Sequence, residues 1–302
     1  MPELPEVEIV RQGLATVLPG LEVSSARQID SPKSFQASSG DVAQFLLGAK
    51  ILAVRRRAKV LIIDLSSDYS LVIHLKMTGQ LVFRRAGSQS SDDSGFAGGH
   101  PNDSLIGRLP DRSTRVEIGF SDGSKLFFND QRKFGWVKLM PTPLVSELEF
   151  MKKVGPEPLD DKFTAKEFIT RVRRHQNTTI KSAILNQTTL AGVGNIYADE
   201  SLWGAGIHPA TKVRAVSDQK LTKLLQEIKQ VMSLSIAHGG STYKNYVNAD
   251  GKKGDYLAEF ARVFNRTGQS CLKCGNDIVK TRVAGRGTHF CPVCQPLESD
   301  DA

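Results

Sequence analysis

Apolar residues recur at helical spacing almost from the first position. Val7, Val10, Leu14 and Val17 follow Pro5, and Pro19-Gly20 ends the run. This spacing predicts one amphipathic helix at the start of the chain. The pattern then shortens: residues 51–54, 60–65, 71–75, 116–120, 125–128 and 136–140 read as strands, with Ser121-Asp122-Gly123-Ser124 as a hairpin turn between two of them. Several short strands joined by polar turns predict a β-sandwich or barrel. Residues 86–110 hold five Gly, five Ser and three Asp without any period, and are expected to form a mobile surface insertion.

Beyond residue 140 the period changes. Pro141, Pro143, Gly155, Pro156 and Pro158 punctuate a connecting region around one short helix. Thr164-Ala165-Lys166-Glu167 fits a capping box ahead of Phe168, Ile169 and Val172. Ile180, Ile184 and Leu185 suggest a second helix. Leu221, Leu224, Leu225, Ile228, Val231 and Met232 define a long one that Gly239-Gly240 ends. The expected class is α+β: a sandwich domain with an N-terminal helix over 2–140, a linker over 141–163, a helical domain over 164–263, and a β-hairpin finger over 264–297.

The finger is where composition first becomes chemical. All four cysteines lie there, as Cys271-x-x-Cys274, sixteen residues, then Cys291-x-x-Cys294. Two close pairs supply four thiolates to one tetrahedral zinc ion, here a structural one. Two disulfides would suit a secreted chain, but the acidic N-terminus is not an export signal. No apolar run approaches the ~18–20 residues of a membrane span. The expectation is a cytoplasmic protein. The finger is also basic, with Lys273, Lys280, Arg282 and Arg286 against Asp277 between its cysteines. Ala284-Gly285-Arg286-Gly287 reads as a tight turn with an Arg at its tip.

Charge follows the same asymmetry. Residues 1–150 carry 18 Lys/Arg and 17 Asp/Glu, whereas residues 151–302 carry 22 and 15, a net of +7. A basic half points to a polyanion such as nucleic acid. Gly192-Val193-Gly194-Asn195, between two helical segments, allows a turn whose amides approach a phosphate, with Asn195 capping the next helix. By itself such a turn is more usually an ordinary interhelical connection.

Several motifs now resemble one family. Pro2-Glu3-Leu4-Pro5-Glu6-Val7-Glu8 is similar to the N-terminus of the bacterial formamidopyrimidine-DNA glycosylases. Arg57-Ala58-Lys59, His74-Leu75-Lys76-Met77-Thr78-Gly79, Asp130-Gln131-Arg132-Lys133-Phe134-Gly135, the run 192–200, and the finger with residues 285–292 match further segments in family order. The resemblance implies a bifunctional DNA glycosylase and AP lyase acting as a monomer on duplex DNA, on oxidised purines opposite cytosine. It further implies catalytic roles for Pro2 as amine nucleophile, Glu3 as general acid/base, and Lys59 and Arg286 as assisting cations. Met77, Arg132 and Phe134 would fill the space left by an extruded nucleotide, and Asn195 and Arg286 would clamp phosphates. The segment from Gly240 to Tyr256 resembles a mobile loop closing over the flipped base. Where relatives often carry a phosphate-contacting His, this chain has Ser113, with Arg112 or Arg115 as a replacement. Two other readings stay open: the related endonuclease VIII branch, a close runner-up that prefers oxidised pyrimidines, and a zinc-dependent DNA-binding protein without catalysis, which the basic half and the zinc ribbon fit equally well.

Overall fold

The structure is a computed structural model that describes residues 2–87, 95–100, 103–105, 107–241 and 256–298. It divides into two compact units, Met1–Lys152 with Gly239–Asp255, and Lys153–His238 with Tyr256–Ala302. In the first, helix α1 (Leu4–Val17) precedes strands β1 (Val23–Gln28), β2 (Phe35–Gln36), β3 (Ile51–Arg57), β4 (Val60–Leu65), β5 (Tyr69–His74), β6 (Gly79–Arg84), β7 (Phe96–Gly99), β8 (Thr114–Phe120), β9 (Lys125–Asp130) and β10 (Trp136–Pro141). They form two five-stranded sheets, ordered β1-β8-β9-β6-β7 and β2-β10-β5-β4-β3. Val10, Leu14, Ile63, Ile73, Phe83 and Phe128 belong to the core between them.

Several strands are buried along their whole length, which explains continuous apolar runs such as Val60–Leu65. The outer face of the second sheet is covered too. Val60, Ile62 and Val72 pack there with Val145 and, beside it, Phe150. Thus residues 141–152, expected as linker, pack on the sandwich: a 3₁₀ turn (Thr142–Glu147) and helix α2 (Glu149–Lys153). Residues 153–163 instead join the second unit, where Phe163 meets Phe168 edge-on.

The segment 86–110 differs from expectation. It contains β7, which pairs with β6 from Gln80↔Gly99 to Phe83↔Phe96. Phe96 and Leu105 are buried. The composition hid this because a single Phe does the packing: a Cβ added to Gly13 of α1 would stand 1.9 Å from the Phe96 ring. Glycine at residue 13 is therefore what lets α1 approach the edge strand, covering it as edge strands require.

In the second unit, helices α3 (Ala165–Arg173), α4 (Ile180–Leu185), α5 (Asn195–Ala205) and α6 (Asp218–Ala237) precede a hairpin of β11 (Val279–Val283) and β12 (Arg286–Phe290). The Thr164 hydroxyl caps α3 by accepting from the Glu167 N–H. The class is thus α+β with sandwich, helical region and finger, as the sequence implies. No helix among the described residues is long and apolar enough to cross a membrane.

Replacing Phe96 with Ala is expected to destabilise the sandwich by about 3–5 kcal/mol in urea unfolding, because the pocket against Gly13 cannot collapse. A cost below about 1 kcal/mol would mean that 96–99 is the loose insertion its composition suggests.

Candidate functional site

Strand register gathers distant motifs at one end of the sandwich. Gly79 pairs with Asp130 in one sheet and His74 with Trp136 in the other. The loops 75–78 and 131–135 therefore both cross between the sheets at the same end. Val60 pairs with both Arg57 and His74, so the two-residue Ala58-Lys59 turn emerges there as well. Helix α1 runs antiparallel to β3. Its C-terminal side is tied by the Gly20 N–H to the Ile51 carbonyl at 2.8 Å, and Glu8 pairs with Arg56 at 2.9 Å. The helix N-terminus thus points toward the Lys59 turn.

Pro2 and Glu3 are buried at that N-terminus, Glu3 only 4% exposed. Glu3 and Glu6 form a reciprocal capping box, in which the Glu3 N–H donates to Glu6 Oε2 at 2.8 Å. The other oxygen of Glu6 accepts the Ser241 N–H at 2.9 Å and its hydroxyl at 2.7 Å. Glu6 therefore joins the first turn of α1 to the segment after Gly240. The remainder of the expected closing loop, 242–255, lies outside the described residues.

Lys59 is 7% exposed. By spacing alone it reads as a solvated lysine next to Arg57; the structure encloses it. Its charge is felt by His74. Desolvation, with repulsion from Lys76 and Lys59, pushes the His74 imidazole down to about 3. It is neutral at pH 7, and Nδ1 accepts the Lys76 N–H at 3.0 Å. Lys76 adopts a φ of +50°, so this bond helps hold the turn that presents Met77.

Met77 is 39% exposed and Phe134 54%. They are outward residues, against the simpler reading of a core Met and a core Phe. The Arg132 guanidinium lies 4.9 Å from the Phe134 ring centroid and donates to Met77 Sδ at 2.9 Å. Beneath this cluster sits Asp130, which is fully buried. Its carboxylate accepts the Thr78 hydroxyl, the Arg132 N–H at 3.2 Å and the Gly135 N–H at 2.6 Å. One carboxylate thus fixes both loops. Gly135 has no room for a side chain, since an added Cβ would meet the Phe128 ring at 2.7 Å.

Near this end, Ser113 is buried and hydrogen-bonded to Asp111, and Arg115 is buried with its Nε donating to the Asp130 carbonyl at 2.9 Å. Only Arg112 is exposed. Of the two candidates to replace the missing His, Arg115 is spent on the scaffold.

In the second unit, Asn195 is the first helical residue of α5 rather than its cap, which is Gly194 in an extended conformation. The cap position needs a non-helical backbone, and Gly194 supplies it. Asn195 Nδ2 instead donates to the Gly287 carbonyl at 2.9 Å. Asn195 and Arg286 are thereby brought together. Arg286 is exposed and opens β12, while the turn itself is Ala284-Gly285 with φ of +51° and +73°.

Two residues missed in the sequence hold this hairpin. Lys181, wholly buried, pairs with Asp199 at 2.6 Å and donates to the Thr288 hydroxyl at 2.8 Å. The other oxygen of Asp199 accepts the His289 N–H at 2.8 Å. Glu200, next on α5, accepts N–H groups from Arg262, Val263 and Phe264 at 2.8–2.9 Å. Burial raises its carboxyl above the ordinary range. An ionisable pair in a helix reads as solvent-facing, and only its backbone partners, 62–90 positions away, reveal otherwise.

The sulfurs of Cys271, Cys274, Cys291 and Cys294 all lie within 4.8 Å of one another. Zinc–sulfur bonds of ~2.3 Å in a tetrahedron place sulfurs about 3.8 Å apart. Cys271 and Cys294 are 3.9 Å apart, and Cys274 and Cys291 3.4 Å. The set fits one structural zinc. The Trp203 indole N–H donates to Cys271 Sγ at 3.3 Å, an outer-shell bond of the kind that orients a ligand.

Comparison with known proteins matches the chain in three successive parts. Residues 1–137 match the formamidopyrimidine-DNA glycosylase N-terminal domain, 154–247 the formamidopyrimidine-DNA glycosylase H2TH domain, and 268–297 the zinc finger found in FPG and IleRS. The formamidopyrimidine-DNA glycosylase of Pelotomaculum thermopropionicum is 37% identical over 299 residues, covering 99% of this chain and 100% of that one. That of Listeria innocua is 37% identical, covering 98% and 100%. A crystal structure of a Lactococcus lactis FPG mutant with Fapy-dG-containing DNA superposes with a TM-score of 0.83 at 33% identity, covering 98% and 100%. The Lactococcus lactis protein with DNA containing an abasic site gives 0.82 at 33%, covering 97% and 99%.

Replacing Lys181 with Met strands a buried Asp199 and is expected to cost about 3–5 kcal/mol in equilibrium unfolding. An unchanged stability would show that the pair does not anchor the hairpin.

Proposed function

Because the chain belongs to the formamidopyrimidine-DNA glycosylase family, we propose that it excises oxidised purines from duplex DNA and then cleaves the strand at the resulting site. The reading is carried by one observation: the buried Pro2-Glu3 terminus, the enclosed Lys59 and the exposed Met77–Arg132–Phe134 cluster belong to one end of the sandwich. A terminus used only as a helix start does not need that company.

The chemistry begins with removal of Met1, which converts Pro2 from a tertiary amide into a secondary amine. The amine attacks C1′ of the damaged nucleotide, and the base leaves with the bonding pair of the glycosidic bond and takes up the proton that the amine sheds. Glu3 protonates the ring oxygen O4′, the sugar opens, and an iminium ion links Pro2 to C1′. The iminium acidifies C2′–H. Loss of that proton expels the 3′ phosphate by β-elimination, and a second elimination expels the 5′ phosphate. Lys59 supplies positive charge beside the reacting nucleotide.

The target base must leave the stack, which costs a few kcal/mol. Met77 and Phe134 offset this by wedging into the vacated space, and Arg132 donates hydrogen bonds to the orphaned cytosine. Asn195, Arg286 and Arg112 grip backbone phosphates and position the duplex without reading sequence. Zinc supplies cross-linking of a finger with little core of its own. A monomer suffices for one lesion.

The experiment is a lesion panel. Duplexes carrying 8-oxoguanine or a ring-opened purine opposite cytosine should be cut, and Glu3→Gln should lower base release by about 100-fold or more, the range of general acid–base catalysis. Preferential cutting of thymine glycol would assign the pyrimidine branch instead, and tight duplex binding without any cleavage would leave a binding protein.

A further inference from the structure

Strand β7 carries one more residue toward the candidate site. Gln80 pairs with Gly99, and the ladder runs a step further: the His100 N–H donates to the Gly79 carbonyl at 3.0 Å. Gly79 also pairs with Asp130, so His100 lies at the end of the sandwich that holds the loops 75–78 and 131–135. Two fully buried amides fix it there. Gln80 Nε2 donates to the His100 carbonyl, and Asn129 Nδ2 donates to Gln80 Oε1 at 3.4 Å. These bonds hold the backbone of His100 and leave its imidazole for other work. The segment whose composition reads as an insertion thus sends a histidine to the site.

One face of β7 packs on α1. The Phe96 ring lies against Gly13, and a Cβ added to Gly98 would stand 2.8 Å from Val10 Cγ2. Two residues along the strand therefore correspond to about one turn back along the helix. The next position on that face is His100, and the next turn back is the first, with Glu3 and Glu6. The half-buried imidazole agrees with this placement. Burial pulls it below its ordinary range, the positive charge of the chain's N-terminal amine pulls it further, and Asp130 opposes both. The charged groups around it are thus that amine, Glu3 and Glu6 from the first turn of α1, and Asp130 from β9. At pH 7 the imidazole is neutral and has a nitrogen able to accept a proton.

An amine is a nucleophile only without its extra proton, and an α-amino group ordinarily keeps one up to about pH 8. We propose that His100 is the proton acceptor of this site: its imidazole takes the proton that the Pro2 nitrogen loses as it bonds to C1′. The Pro2 N–H bond breaks and an imidazolium N–H forms. Burial makes that cation a poor place to keep a proton, so it hands the proton to the departing base and returns to neutral. This role rests on the glycosylase reading for the carbon attacked, whereas the pairing of imidazole and amine does not.

Two rates test it, each measured for His100→Ala and His100→Gln in the full, zinc-loaded chain. The first needs no lesion: iminium formation between the N-terminal amine and glycolaldehyde at pH 7, trapped with cyanoborohydride and mapped to Pro2. The second is single-turnover base release from a duplex containing 8-oxoguanine. Both rates should fall about 100-fold in both variants, with duplex affinity unchanged. The loss should shrink above about pH 8, where the amine sheds its proton to water unaided. Glutamine keeps a hydrogen bond but takes no proton, so full rescue by His100→Gln would overturn the proposal. An aldehyde rate that ignores both substitutions would overturn it too, as would a loss equal at every pH, or weakened duplex binding with normal base release. If the unsubstituted chain cuts no lesion, the glycosylase reading fails, and the aldehyde rate still decides whether His100 serves the amine.

Discussion

The Asp130 carboxylate is the point on which the exposed end of the sandwich depends. It is wholly removed from water, and its desolvation is compensated by one hydroxyl and two backbone N–H groups. Those donors belong to the two loops that cross between the sheets. Because the charge must be satisfied, the loops cannot move independently, and Met77, Arg132 and Phe134 are held outward as a preformed cluster. An apolar surface of this kind is normally buried. Here a polar anchor beneath it prevents that collapse.

The second unit uses the same device. Asp199 and Glu200 are consecutive on α5; Asp199 accepts from His289 in the finger and Glu200 from Arg262, Val263 and Phe264, where the finger begins. Lys181 neutralises the first and reaches the same hairpin. Arg286, exposed at the start of β12, is thereby set on a rigid base beside Asn195. Zinc braces the other end of the hairpin. In both units exposed groups suited to a polyanion stand on buried, saturated carboxylates, an arrangement that keeps binding groups preorganised.

Much of this was legible in local pattern. The helix after Pro5, six strands, the α+β order and the zinc set follow from periodicity and spacing, which are local properties. What was not legible was non-local. Strand β1 is polar because it is an edge strand, with one buried position in six. Strand β7 hid in a Gly- and Ser-rich stretch because Phe96 alone fills the space above Gly13. Lys181 and Asp199 look like ordinary solvated charges until the fold brings them together. Pairing of Gly79 with Asp130 and of His74 with Trp136, which assembles the candidate site, has no trace in composition. The candidate residues themselves stand out only through resemblance to a family; spacing alone favours bland roles for Pro2 and Lys59.

The chemistry proposed above turns on one nitrogen: that of Pro2, freed by loss of Met1 to form the iminium ion. Borohydride reduction during turnover of a duplex containing 8-oxoguanine, followed by peptide mapping, tests it directly. The expected result is a stable protein–DNA adduct attached at Pro2, in protein that has lost Met1. Fully active protein that retains Met1, or an adduct that maps to a lysine instead, would contradict it.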